Sequence, residues 1–200
     1  MRKLAILLGG AIALAACNTT PPPPPPSAMI DPNDPRFAPA FMAQAASGNQ
    51  FEIDSSQLAL QASSNTSVRN FANLMIADHT RLGQMFGAAA QSAGLSPPPP
   101  GLLPAQQAAL DQLRAAGSGP GFDAAYLQAQ LSAHQGALAL MQTYAANGDV
   151  PALRNFASMQ AIPMIQMHLQ QVQLLQTAAA APPPPPAMAP PPTRRAGERG

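Results

Sequence analysis

Between Ser67 and Ala93 the chain runs SVRNFANLMIADHTRLGQMFGAAAQSA, with Val68, Phe71, Met75, His79, Leu82, Phe86 and Ala89 at steps of three and four residues. That spacing lines them along one face of an α-helix, so the segment predicts an amphipathic helix with His79 directed inward among apolar side chains. Upstream, 37–63 has helix composition and ends in the turn formers Ser63-Ser64-Asn65-Thr66-Ser67, one of which should cap the next helix. Downstream, Gly94 and the prolines 97–100 close the stretch, and 105–116 forms a short helical segment before Gly117-Ser118-Gly119-Pro120-Gly121 breaks the chain.

Two more long helices follow. The segment 122–146 carries the stripe Leu127, Leu131, His134, Leu138, Met141 and Ala145, and 150–179 buries Val150, Leu153, Ala157, Met164, His168, Val172 and Leu175. Asn147-Gly148 separates them, Asp149 can cap the last helix, and Pro151 fits a first turn where its missing N–H costs nothing. Pro163 removes a backbone bond inside that helix and should kink it. No strand pattern of useful length occurs. Four long helices with short loops at 64–66 and 147–148 pair as two antiparallel hairpins, so the expected fold is an all-α antiparallel four-helix bundle over 37–180 with a short extra helix in the middle connection.

The termini carry other information. Met1-Arg2-Lys3 is basic, residues 4–16 are apolar but too short to span a bilayer, and Cys17 follows, which reads as a signal peptide over 1–16. Leu14-Ala15-Ala16-Cys17 resembles the bacterial lipobox, which implies cleavage before Cys17 and its lipidation; ordinary secretory cleavage is the alternative. Three acyl chains exceed the two signals that stable anchoring requires. Asn18 after the cysteine is similar to the sorting pattern of outer-membrane lipoproteins facing the periplasm. Residues 17–36 then form a proline-rich tether, stiffened by the hexaproline 21–26, and 181–200 reads as a disordered Pro/Arg-rich tail.

Composition narrows the function classes. Cys17 is the single cysteine, so its lipidation leaves no thiol, disulfide or thiolate metal site. Loss of Arg2 and Lys3 leaves eight basic against nine acidic residues and no lysine, which argues against nucleic acid and against Schiff-base chemistry. There is no glycine-rich phosphate loop, no haem-attachment motif and no nucleophile elbow, so neither nucleotide nor haem is expected.

The segments FMAQAASGNQFEIDSSQLAL, VRNFANLMIADHT, FDAAYLQAQLSAHQGALALMQTYAANGD and LRNFASMQAIPMIQMHLQQVQLL, in that order, resemble those of the bacterial envelope family catalogued as domain of unknown function 4142. The likeness covers roughly 37–178, with Ala77-Asp78-His79-Thr80, Phe122-Asp123 and Ile162-Pro163 as its most telling pieces. It implies a ferritin-like helical bundle on exported proteins, often lipoproteins, with no established activity.

The candidate site is the set of inward polar groups. At 1.5 Å per residue Glu52 and His79 both lie about 20 Å from the turn at Asn65, and His134 is level with them if the helix ends align. The same count puts His168 about 9 Å out of register with His134, toward the end where Asp123 begins its helix. Glu52, His79, His134 and His168 suit zinc or iron by ligand type. Met75, Met141 and Met164 share stripes with the histidines and would add soft ligands for copper, or serve as core fillers. The Glu-x-x-His motifs of di-iron bundles are missing. Asp78 with Arg81 and Asp111 with Arg114 read as exposed pairs. The first functional expectation is a membrane-anchored, non-enzymatic envelope interaction or stress-related accessory protein whose partners are envelope proteins. The alternative is a bundle that binds zinc, iron or copper through its core histidines.

Overall fold

The computed structural model describes Asp31 and residues 33–180; the expected signal peptide 1–16, Cys17, the hexaproline and the expected tail 181–200 lie outside the described residues. The described chain is an all-helical bundle: α1 (Ala38–Ala62), α2 (Thr66–Ser92), α3 (Pro104–Ala115), α4 (Pro120–Asn147), α5 (Pro151–Phe156), a π-helical turn (Ala157–Ala161) and α6 (Ile162–Ala180). No helix among the described residues is long and apolar enough to cross a membrane.

Local signals place the ends. Asn65 caps α2, its side-chain oxygen accepting from Ser67 N at 2.9 Å and Val68 N at 3.4 Å. Gly94, at φ 72°, closes α2 as a Schellman turn, with Gly94 N donating to Gln91 O and Leu95 N to Ala90 O. Arg69 reaches back to the carbonyls of Leu60 and Ser63, groups that the end of α1 leaves without helical partners. Asp149 does not cap the helix that follows it. Its Oδ1 instead accepts from Ala38 N at 2.9 Å and from Tyr144 Oη at 2.8 Å, which puts a carboxylate at the positive end of α1. Its own N–H donates to Arg36 O, so the last residues of the expected tether already turn against the bundle.

The long helices pack α1 on α2 and α4 on α6, with α1 also against α4 and α2 against α5. Two apolar clusters fill the interior. One gathers Phe41, Leu82, Phe86, Met141, Tyr144 and Phe156, with Phe41 stacked on Tyr144 at 3.7 Å between centroids. The other gathers Phe51, Val68, Phe71, Met75, Tyr126 and Val172. On each helix the candidate site residue lies between members of the two clusters: His79 between Met75 and Leu82, His134 between Leu127 and Met141, His168 between Ile165 and Val172. The histidines therefore form a polar layer across the middle of a bundle that is apolar on both sides.

Two glycines interrupt otherwise regular helices at that level. Gly48 and Gly136 have negative φ, and a Cβ added at either would meet nothing within 4 Å. Glycine inside a helix costs about 1 kcal/mol relative to alanine, so neither the backbone nor close packing accounts for them.

Candidate metal centre

His79, His134 and His168 converge. One ring nitrogen from each lies within 4.8 Å of the others, and all three side chains are buried. The ring centroids are 5.5 Å (His79 to His134), 5.4 Å (His79 to His168) and 5.2 Å (His134 to His168) apart.

Each ring is held by an acceptor on its outer side. His79 Nδ1 donates to Asn49 Oδ1 at 3.1 Å, His134 Nδ1 to Gln130 O at 2.9 Å, and His168 Nε2 to Asp78 Oδ2 at 3.0 Å. In a neutral imidazole that uses the single ring proton, leaving a lone pair on the other nitrogen. His134 Nε2 and His168 Nδ1 then face each other at 3.2 Å as two acceptors, and His79 Nε2 is buried with no partner at all. Two facing lone pairs require something positive between them, either a proton or a cation.

Charge around the layer is acidic. Glu52, also buried, brings Oε1 to 3.4 Å from His134 Nδ1, while its Oε2 has no partner. Burial pushes the Glu52 carboxyl above the usual carboxylate range, against the opposing pull of His134 and the Gln130 amide. Burial also holds His79 well below the ordinary histidine value, with His134 and His168 adding to the effect. His168 is lowered by burial too, and the bond to Asp78 works the other way. His79 and His168 thus resist protonation and keep their lone pairs for a different cation.

The structure corrects the axial count for His168, which shares the site instead of lying 9 Å away near Asp123. Gly148 and Val150 are extended, so the chain passes the end of α4 before α5 turns back. The π turn then uses more residues per turn than an α-helix. It occurs directly before Pro163, where the missing N–H releases a carbonyl, and takes the place of the expected simple kink. Both features lengthen the chain path without advancing it along α4.

Asp78 is a second correction: it bonds to His168 rather than serving as an exposed partner of Arg81. Asp111 with Arg114 is the exposed pair expected, at 2.7 Å. Glu52 lies on the outer nitrogen of His134 and outside the convergent set of three nitrogens. Met75 and Met141 are packed in different apolar clusters, and Met164 is half-buried against the cluster of Met141. Asn49 and Gln130 had no place in the sequence reading, yet each stands one helical turn from a polar residue that did, Asn49 before Glu52 and Gln130 before His134. Gly83 is part of Asn49's setting, since a Cβ there would lie 3.1 Å from the Asn49 amide nitrogen.

A family model described as "Domain of unknown function (DUF4142)" matches residues 21–175. No curated protein and no solved structure matches the chain.

Proposed function

Because the chain belongs to the DUF4142 family, whose description assigns no activity, its role must come from its own residues, and we propose that it binds one divalent transition-metal ion on His79, His134 and His168. The observation that carries this reading is the outward bonding of all three rings, which turns three lone pairs toward a common point. Metal-bound histidines are oriented in this way by carboxylates and carbonyls behind them. Zinc–nitrogen bonds of about 2.0–2.1 Å imply donor nitrogens about 3.3 Å apart in a tetrahedron. His134 and His168 already meet that at 3.2 Å, so closure of the site is chiefly an approach by His79. Two carboxylates, Glu52 and Asp78, stand behind the ligands to balance a dication. Three imidazoles favour zinc, with iron and copper as competitors.

Titration of the metal-free full-length protein with Zn(II), Fe(II) and Cu(I) tests the proposal. One saturable site per chain, with micromolar or tighter zinc affinity, is the expected result. Absence of saturable binding for all three ions would leave the histidines as core hydrogen-bonding groups and overturn the reading.

The setting proposed for this site is the cell envelope. The Leu14–Cys17 pattern and Asn18 support a lipid anchor in the outer membrane, and the proline run supports a stiff spacer between anchor and bundle. A ferritin-like arrangement of the long helices, and contact with other envelope proteins, belong to the same proposal; paired helices joined through a long middle connection support the former. Cys17→Ser should move the protein from the membrane fraction to the soluble fraction. Unchanged membrane association of that variant counts against the anchor.

A further inference from the structure

Resting on the three-histidine reading, we propose that the bound metal keeps an open coordination position facing a cavity between α1 and α4. Through this cavity it takes a small Lewis-basic ligand, water at rest and a small monoanion in exchange. The cavity has a volume of about 320 Å³ and is lined by Glu52, His79 and His134 together with Gly48, Ala133 and Gly136. Water occupies about 30 Å³ of liquid, so the space has room for a ligand of a few heavy atoms beside the metal.

Three observations converge on it. Two unpartnered buried polar atoms, His79 Nε2 and Glu52 Oε2, belong to residues that line the cavity. His168 does not line it, and its outer nitrogen is bonded to Asp78. Gly48 and Gly136 face open space where any larger side chain would project, and neither has the positive φ that would otherwise require glycine. Their role is to keep the passage clear. A structural zinc site is closed by four protein ligands, whereas three ligands plus an accessible position is the arrangement that allows exchange and chemistry at the metal. With Glu52 and Asp78 behind the imidazoles, the incoming ligand needs no large compensating charge.

The test loads the full-length protein with Co(II), whose visible spectrum reports its ligands, and adds azide as the probe. A saturable spectral change is expected in the native protein, weakened about tenfold or more in Gly136→Leu and in Gly48→Leu. Gly136→Ala, which leaves most of the passage open, should retain binding and keeps the test valid if a leucine variant does not fold. Cobalt bound with a spectrum indifferent to azide would overturn the open position while leaving the three-histidine site standing. Equal azide affinity in native and leucine variants would overturn the passage. No cobalt binding at all would overturn the metal reading itself, and this inference with it.

Discussion

His134→Ala is expected to abolish the metal-dependent part of the protein's stability. A ligand that binds only the folded state at about a thousand times its Kd adds about 4 kcal/mol. Native protein saturated with zinc should therefore melt well above the chelator-treated form, while the variant should melt at one temperature with or without zinc. His134 is the ring to remove because it meets His168 Nδ1 on one side and Gln130 O and Glu52 on the other. The truncation also leaves a cavity and lowers the metal-free stability. The difference between the two melts cancels that loss. A zinc increment that survives undiminished in the variant would show that the imidazoles are not ligands.

Acid should act in the same direction. His79 and His168 have folded-state values below the ordinary 6.5. Above that pH both are neutral folded or unfolded, and their contribution is fully present. As pH falls below 6.5 the unfolded chain takes up protons that the folded one refuses, so stability is lost until the lowered folded values are reached. Glu52 opposes this: raised above 4.5, it contributes fully below that pH, and the contribution is lost as pH rises through its folded value. The two histidines thus destabilise the metal-free protein as pH falls below 6.5, and the carboxyl acts in the opposite direction. The metal-loaded protein should fall more steeply, since protons compete with the metal for the same nitrogens. Thermal melts across this range, with metal and with chelator, check both statements.

How far the site could be read in the sequence depended on what the chain did between the ligands. Glu52 and His79 flank one short turn, so counting 1.5 Å per residue outward from Asn65 put them level, and the structure agrees. His134 followed from the same count. His168 did not, because the extended corner at Gly148 and Val150 and the π turn at Ala157–Ala161 break the assumption of two straight helices meeting end to end. Pro163 marked that something irregular was there without giving its form. Asp78 escaped for a different reason: adjacent helical residues point about 100° apart, so as His79 faces the layer Asp78 faces the neighbouring α6, which an analysis of one stripe does not see. The cavity was least legible of all, since glycine and alanine in a helix look alike as weak apolar signals until the opposing helix is in place.

Glu52→Gln should move stability and metal affinity in opposite directions. The side chain is buried, its carboxyl is pushed up by burial, and Oε2 has no partner. In the metal-free protein a neutral amide of nearly the same shape removes the cost of a desolvated charge and takes no hydrogen bond from His134, whose Nδ1 proton goes to Gln130 O, so the melting temperature under chelator should hold or rise. With metal present the carboxylate has a use. It makes His134 a stronger donor and offsets one of the cation's charges across 3.4 Å from the ring. Loss of an outer-shell partner of this kind weakens metal binding about 10- to 100-fold, equivalent to roughly 1.4–2.7 kcal/mol. Competition titration against a chelator of known affinity gives the metal term, and a melt under chelator gives the other. A purely structural Glu52 predicts the reverse pattern, a less stable metal-free protein with unaltered affinity. That outcome would reduce the carboxylate to core packing. The expected outcome identifies a residue that the fold retains at a cost to itself because the cation requires it.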